Sequence, residues 1–105
     1  MVYLFIEGCW RDFAELKAED VQKIPDEFKT LPLEVLSTLK VNPPTAYRLL
    51  RDFVPLNRGD FIVQNGANSA VGRLVIQMAT LLGFNTINII RNRPDFDILA
   101  HELQG

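Results

Sequence analysis

Apolar residues recur at helical spacing between positions 71 and 82. They fall at i, i+3, i+4, i+7, i+8 and i+11, which is one stripe of an α-helix: Val71, Leu74, Val75, Met78, Ala79 and Leu82. Gly83 follows directly, and glycine is the residue type that most often ends a helix. The pattern therefore predicts an amphipathic helix that packs on one side and ends at Gly83.

Short apolar runs flank this helix on both sides. Residues 61–63, Phe-Ile-Val, follow a turn signal at 57–60 and are typical of the first, fully buried strand of a parallel sheet. Residues 86–90, Thr-Ile-Asn-Ile-Ile, are mostly β-branched and predict a second strand. A strand, a helix and a strand at this spacing form the minimal connection between parallel strands, so the segment predicts a βαβ unit.

Small residues make up the turn between the first strand and the helix, at positions 66–72. A helix that begins at such a turn presents unpaired N–H groups and its positive dipole end, which together can bind a pyrophosphate. The residues expected to do so are Asn68, Ser69, Ala70 and Val71. Of the fingerprint G-x-G-x-x-G only the last glycine is present, as Gly72, where it permits close packing of helix and strand. An ordinary βα turn is the alternative interpretation.

Basic residues follow the second strand. NAD-binding domains place an acidic residue at this point, roughly 20 residues beyond the glycines, where it accepts hydrogen bonds from the ribose. This chain instead has Arg91, Asn92 and Arg93. Two guanidinium groups can bind a 2′-phosphate through charge-assisted hydrogen bonds, whereas a carboxylate would repel it. The pattern predicts NADPH rather than NADH as the cofactor, with a solvated loop as the alternative.

The residues before position 61 predict a different organisation. Residues 13–16 and 21–24 are predicted to be short strands, separated by a polar turn at 17–20. Pro32 is predicted to begin a helix that carries three leucines on one side, Leu33, Leu36 and Leu39.

A second helix is predicted after a break at 42–44. Its apolar residues have helical spacing: Ala46, Leu49, Leu50 and Phe53. Asn42 is predicted to be its N-cap, with Pro43 at the first helical position. A domain boundary is expected near 40–44.

The composition predicts a globular, soluble chain. It has 105 residues, of which 48% are hydrophobic and 23% charged, and its formal net charge of −2 gives no indication of nucleic-acid binding. No apolar run approaches the roughly 20 residues of a membrane span, and the apolar segment at 1–6 is too short for a signal peptide. The one cysteine, Cys9, excludes an internal disulfide and is expected to be a passive hydrophobe. The one histidine, His101, is expected on a helix surface.

The last apolar pattern predicts another helix, with Phe96, Leu99, Ala100 and Leu103 on one side. A complete doubly wound domain has about six parallel strands, whereas this pattern supplies two. Two strands with one crossover cannot cover both faces of their sheet, so exposed apolar surface is expected unless partner segments cover it. The chain is therefore predicted to be a fragment or a truncated product of an α/β protein.

Three segments resemble one protein family. They are VNPPTAYRLL at 41–50, NRGDFIVQNGANSAVG at 57–72 and TINIIRNRPD at 86–95. They are similar to the medium-chain dehydrogenase/reductase superfamily, and within it to the mitochondrial NADPH-dependent 2-enoyl thioester reductases, the trans-2-enoyl-CoA reductases of mitochondrial fatty acid synthesis. The resemblance covers roughly 7–94, including a Gly-x-Trp-Arg segment at 8–11. It implies the end of a β-rich GroES-like catalytic domain and a connecting helix in 1–40. Residues 41–105 would be the first part of a Rossmann-type NADP-binding domain with a doubly wound parallel sheet.

The resemblance also implies an activity. Such a reductase is zinc-free and transfers the hydride of NADPH to the β-carbon of a trans-2-enoyl thioester, after which a proton reaches the α-carbon. Asn42 is then implied to line the cofactor site, with Asn68 to Val71 on the pyrophosphate and Arg91 to Arg93 on the 2′-phosphate. The implied partners are an enoyl thioester of CoA or acyl carrier protein and a second copy in a homodimer, in the mitochondrion.

Some positions depart from the family pattern. The family acid is a tyrosine of the catalytic domain, and neither Tyr3 nor Tyr47 aligns with it, so no catalytic residue is predicted. Lys40 replaces a small residue and Ala70 a common glycine, and each could weaken the binding turn. Two alternatives remain: a non-catalytic truncated product that acts only through dimer or partner contacts, and a zinc-free quinone reductase of the same superfamily. A P-loop nucleotidase is excluded because no Lys-Ser or Lys-Thr follows the glycines.

Overall fold

The computed structural model describes residues 2–4 and 11–103. The chain divides into two compact units, Met1–Lys40 and Val41–Gly105. The predictions for Cys9 and for most of the Gly-x-Trp-Arg segment lie outside the described residues. The described part contains no helix that is both long and apolar enough to cross a membrane.

The first unit contains a small antiparallel sheet and short helical turns. Strand β1 (Val2–Leu4) pairs with β2 (Val21–Lys23). The prediction of a strand at 21–24 is confirmed to within one residue, but that for 13–16 is wrong, because this segment has no regular structure. A segment of four residues forms a strand only where a neighbouring strand completes its backbone hydrogen bonds. Helix α1 (Leu33–Thr38) begins directly after Pro32, as predicted, and buries Leu36.

The second unit begins with helix α2 (Asn42–Arg51). The prediction of Asn42 as N-cap is wrong: Val41 holds that position, and its carbonyl accepts hydrogen bonds from the N–H and the hydroxyl of Thr45 at 3.0 and 2.6 Å. Because Pro43 and Pro44 have no N–H group, two of the donors that a cap would satisfy do not exist. The helix ends before Phe53, which is exposed.

An ion pair lies on the exposed side of α2. Arg48 donates a hydrogen bond from Nε to the Asp52 carboxylate one turn later. This hydrogen bond, and then the negative charge of Asp52, raise the pKa of the Arg48 guanidinium above its ordinary value.

The predicted βαβ unit follows α2. Strands β3 (Phe61–Asn65) and β4 (Asn85–Ile89) are parallel and paired along their whole length. Helix α3 (Ala70–Leu82) connects them and ends at Gly83, whose φ of +80° is a conformation that glycine adopts without steric cost. Helix α4 (Phe96–Glu102) follows β4, and His101 lies exposed on it, as predicted. The prediction of an α/β fold with a parallel sheet is confirmed.

The apolar stripe of α3 forms the centre of the main core. Val75 and Ala79 are buried together with Ala46 and Leu50 of α2 and with Phe84. A smaller cluster buries Ala67, Ile76 and Leu103 beside Ile90, where α4 approaches α3. The two clusters hold the helix on either side, so the position of its N-terminus beside the sheet is fixed by packing.

One face of the parallel sheet is exposed. Phe61 and Val63 of β3 are 68% and 62% exposed, and Ile87 and Ile89 of β4 lie beside them in solvent. The prediction that the first strand is fully buried is therefore wrong for this chain. The helices cover only the opposite face, on which Gln64 is half-buried. The exposed apolar surface expected of a two-stranded sheet is confirmed.

Candidate functional site

A cleft of about 830 Å³ opens at the carboxyl ends of β3 and β4. Residues from the turn after β3 and from the segment after β4 line it: Asn65, Gly66, Asn68, Ser69, Ile89, Ile90, Arg91, Asn92 and Arg93. Ligands of open α/β sheets bind at this end of the strands. Five of the eight residues predicted for the site therefore meet in one cleft, although they come from two separate segments of the chain.

Backbone hydrogen bonds fix the turn after β3. The N–H of Ser69 donates to the carbonyl of Gly66 at 2.9 Å, and the N–H of Ala67 donates to the carbonyl of Ile89 at 3.3 Å. Gly66 has a φ of +60°, a left-handed conformation that favours glycine. The turn is thus shaped by its own backbone and tied to the end of β4.

Gly72 allows the first turn of α3 to approach this turn closely. A Cβ at position 72 would lie 2.7 Å from the carbonyl oxygen of Ala67 and 2.8 Å from its Cα. Both distances are shorter than non-bonded atoms tolerate, so only glycine fits without a shift of the backbone. The predicted role of Gly72 in close packing is confirmed, and the contact lies where the chain leaves the strand.

The first backbone N–H groups of α3 differ in whether they have an acceptor. Ser69 is the N-cap, and its Oγ accepts from the N–H of Gly72 at 3.1 Å, while its carbonyl accepts from the N–H of Arg73 at 2.9 Å. The N–H groups of Ala70 and Val71 have no acceptor within the described part of the chain. They lie at the positive end of a helix of 13 residues, which makes them available to an anion.

The capping role of Ser69 was not among the predictions. The signal was present, because serine directly before an apolar helical stripe is a typical N-cap. A hydroxyl that accepts one hydrogen bond still has its own hydrogen to donate. Ser69 can therefore cap α3 and donate to a ligand in the cleft at the same time.

Replacing Ser69 with alanine is expected to lower the free energy of unfolding by about 1 kcal/mol, because the N–H of Gly72 loses its acceptor. Ser69→Asp should restore the stability, since aspartate also caps helices well. Urea unfolding followed by circular dichroism measures both. Ser37→Ala is the matched control: the Ser37 hydroxyl only donates to Glu34 on an exposed surface, and no loss beyond about 0.5 kcal/mol is expected. An equal change for Ser69→Ala and Ser37→Ala would contradict the capping role.

The segment after β4 brings positive charge to the cleft. Arg93 donates a hydrogen bond from Nε to the Asp95 carboxylate, and its side chain is half exposed. Arg91 is exposed and contacts no carboxylate among residues 2–4 and 11–103. The described residues that line the cleft include two arginines and no acidic side chain, so the lining carries a positive formal charge.

The three other predicted site residues do not line the cleft. Ala70 and Val71 directly follow the lining residue Ser69, and their backbone N–H groups have no acceptor among the described residues. Asn42 is half-buried at the first position of α2 and is not one of the lining residues.

Side-chain amides support the site from the covered face of the sheet. Gln64 donates from Nε2 to the carbonyl of Gly72 at 3.1 Å and to Oδ1 of Asn88 at 2.8 Å. Asn88 in turn donates to the Thr86 hydroxyl at 3.0 Å. The sequence analysis did not predict these hydrogen bonds. Their signal in the sequence is the presence of polar side chains at strand positions that face a helix, because polar groups removed from water need hydrogen-bond partners.

Comparison with known proteins agrees with this geometry. The chain is 45% identical over 97 residues to a mitochondrial enoyl-[acyl-carrier-protein] reductase of Caenorhabditis elegans, a match that covers 92% of this chain and 27% of that protein. No protein-family model matches the chain.

Two solved structures have the same fold as this chain. The mitochondrial 2-enoyl thioester reductase Etr1p/Etr2p heterodimer of Candida tropicalis superposes with a TM-score of 0.75 at 35% identity, over 83% of this chain and 26% of that chain. The complex of Etr1p with NADP and crotonyl-CoA gives a TM-score of 0.74 at 36% identity, with the same coverage.

The chain is homologous to one segment of the mitochondrial 2-enoyl thioester reductases. The resemblance noted in the sequence is thereby confirmed over the matching segment. The prediction of a mitochondrial protein agrees with the names of these relatives. The chain spans about a quarter of the length of the reductases it matches.

Proposed function

We propose that this chain forms part of the NADPH site of a 2-enoyl thioester reductase. The observation that carries the proposal is the cleft in which the N-terminus of α3 and the two arginines after β4 meet. One segment offers free N–H groups, and the other offers two guanidinium groups. Phosphates at two separate positions, as in NADPH, match this arrangement.

The turn after β3 is proposed to bind the pyrophosphate. The N–H groups of Ala70 and Val71 lack acceptors, the Ser69 hydroxyl retains a hydrogen to donate, and the Asn68 side chain lines the cleft. All of these groups can donate hydrogen bonds, and none carries a negative charge. The donor set is therefore suited to an anion.

The segment after β4 is proposed to bind the 2′-phosphate. Arg91 and Arg93 supply the charge, and Asn92 between them supplies a neutral amide that a phosphate does not repel. A carboxylate that would accept hydrogen bonds from the ribose of NADH is absent from the described lining. NADPH is accordingly the preferred cofactor.

The role of this chain in the reaction is to bind and orient the cofactor. NADPH, when bound, supplies the hydride that reduces the β-carbon of a trans-2-enoyl thioester. We assign no catalytic residue to the chain, and we propose that Asn42 approaches the cofactor from the start of α2. The reductase whose structure holds NADP and crotonyl-CoA is the precedent for this chemistry.

We propose the following organisation for the whole protein. Residues 1–40 would be the end of a GroES-like catalytic domain and its connecting helix, and residues 41–105 the first part of the Rossmann domain. The substrate would be an enoyl thioester of CoA or acyl carrier protein, and the protein would form a homodimer. The Candida tropicalis reductase, a heterodimer, is a precedent for two related chains in one assembly.

One observation favours a second candidate function, in which the chain acts only through contacts with a partner. The apolar sheet face around Phe61 and Val63 is exposed and could bind another surface. A quinone as the substrate has weaker support: the structure of a putative NADPH:quinone reductase from Bacillus thuringiensis matches this chain at 28% identity and a TM-score of 0.63, below the values for the enoyl thioester reductase.

The proposed function is tested with a chimaera in which residues 41–105 replace the matching segment of the Caenorhabditis elegans reductase. We expect it to bind NADPH about 10²- to 10³-fold more tightly than NADH, the effect of two charge-assisted hydrogen bonds. Titration calorimetry measures both affinities, and NADPH-dependent reduction of crotonyl-CoA measures the activity. A folded chimaera that binds neither cofactor would overturn the proposal and leave the contact role as the better one.

A further inference from the structure

We propose that Arg73 is a positioning residue for the turn that binds the pyrophosphate. Its guanidinium holds the peptide between Asn68 and Ser69, and Glu102 of α4 holds the guanidinium. The inference rests on the proposed function, since the orientation of this turn affects binding only if a pyrophosphate binds there. Arg73 does not itself line the cleft, so its effect is exerted through the turn.

Both polar ends of one peptide unit are fixed. Arg73 donates from Nε to the carbonyl of Asn68 at 3.3 Å. The N–H of Ser69, on the other side of the same peptide bond, donates to the carbonyl of Gly66 at 2.9 Å. Because a peptide unit is planar, these two hydrogen bonds define the rotation of the whole unit. The free N–H groups of Ala70 and Val71 follow directly after it, so their direction depends on this peptide.

The guanidinium is itself held from a second helix. Nη2 of Arg73 donates to Oε2 of Glu102 at 2.9 Å, and the two side chains are only 40% and 48% exposed. Glu102 lies at the end of α4, which is anchored by the buried side chains of Leu99 and Leu103. Arg73 thus links the turn after β3 to the helix after β4.

The shape of arginine is essential to this link. A guanidinium is a planar fork whose Nε and Nη2 can donate to two acceptors at the same time. A lysine has one ammonium at the end of a flexible chain, so it can keep the ion pair with Glu102 while the hydrogen bond to Asn68 is lost. Arg73→Lys therefore removes the positioning and retains the charge.

The test compares Arg73→Lys with Arg48→Lys in the complete chain. Arg48 is also an ion-paired arginine, but it lies on α2 and contacts Asp52 rather than the turn. Amide hydrogen exchange followed by NMR reports on the turn without any cofactor. We expect the Ser69 amide to exchange about three- to tenfold faster in Arg73→Lys than in the unmodified chain. The exchange rate of the Val75 amide, in the core, should not change in this variant. The exchange rate of the Ser69 amide should not change in Arg48→Lys.

The second readout is cofactor affinity. Arg73→Lys is expected to weaken the binding of NADPH and the binding of NADH by the same factor, about three- to tenfold, because both cofactors contain the pyrophosphate. Glu102→Gln, which keeps a neutral acceptor for Nη2, should give a smaller loss. A loss confined to NADPH would overturn the inference, since it would place Arg73 with the 2′-phosphate.

The outcomes separate this inference from the proposed function. An unchanged Ser69 exchange rate in Arg73→Lys overturns the positioning role, whether or not the chain binds a cofactor. A faster exchange in a chain and chimaera that bind neither cofactor supports the positioning of the turn and overturns the proposed function. Faster exchange together with equal losses for NADPH and NADH supports both.

Discussion

Replacing Gly72 with valine is expected to lower the free energy of unfolding by about 3 kcal/mol, the upper part of the range for overpacking. The new Cβ would lie 2.7 Å from the carbonyl oxygen of Ala67, and that neighbour is backbone rather than a flexible side chain. Ala67 is fully buried and bonded to Ile89, so the strain can be relieved only by moving the turn. Helix propensity acts in the opposite direction, but by only about 0.5 kcal/mol, so the steric effect decides.

Urea unfolding of the purified chain measures this loss. A protein of this length has a total stability of about 5–15 kcal/mol, so the variant should unfold at a clearly lower urea concentration. Gln77→Val is the matched control, because it introduces the same side chain at an exposed position of the same helix. We expect it to change the stability by no more than about 0.5 kcal/mol. If Gly72→Val also lowered the stability by no more than about 0.5 kcal/mol, the turn would have to relax freely around the larger side chain, which would contradict the prediction.

Elements with a repeated short-range pattern were predicted well from the sequence. The stripe of α3 recurs over three turns, and Gly83 marks its end, so the helix and its buried side follow from spacing alone. The two parallel strands were placed to within two residues at each end. The cleft could also be anticipated, because adjacent parallel strands connected by a helix bring their carboxyl ends together.

Features that depend on contacts between distant residues were not predicted. The segment 13–16 forms no strand, although the polar turn after it favours one, and the described residues leave the outer face of β3 uncovered. The contact between Arg73 and Glu102 joins residues 29 positions apart and appears in no local pattern. The start of α2 shows another limit. Asn42 has a good capping side chain, but Pro44 has no N–H group and the N–H of Thr45 donates to the carbonyl of Val41, so neither donor is available to Asn42.

The double substitution Arg91→Ala and Arg93→Ala is expected to weaken NADPH binding by about 10²- to 10³-fold and NADH binding by no more than about threefold. Each charge-assisted hydrogen bond to a phosphate contributes about 1.5–3 kcal/mol, and each 1.4 kcal/mol is about tenfold in affinity. NADH lacks the 2′-phosphate, so it has no such bond to lose. Calorimetric titration of the chimaera with each cofactor measures the two ratios.

The control must separate a local contact from the overall charge. The variant Arg48→Ala with Arg51→Ala also removes two positive charges, but it removes them from α2, whose residues do not line the cleft. If the arginines after β4 act by direct contact, this control should change neither affinity by more than about twofold at 0.15 M salt, where exposed charges are largely screened beyond about 8 Å.

The two arginines should not contribute equally. Arg93 is already held by Asp95, so it loses little side-chain freedom when it binds a phosphate, but it must share its charge with a carboxylate. Arg91 has no such partner among the described residues, so its whole charge is available and its ordering cost is larger. At a phosphate, the charge of the arginine contributes more than the ordering cost removes. Arg91→Ala alone should therefore weaken NADPH binding more than Arg93→Ala alone. Equal losses of NADPH and NADH in either variant would instead mean that the arginine acts on the pyrophosphate or on the fold, and the 2′-phosphate assignment would fail.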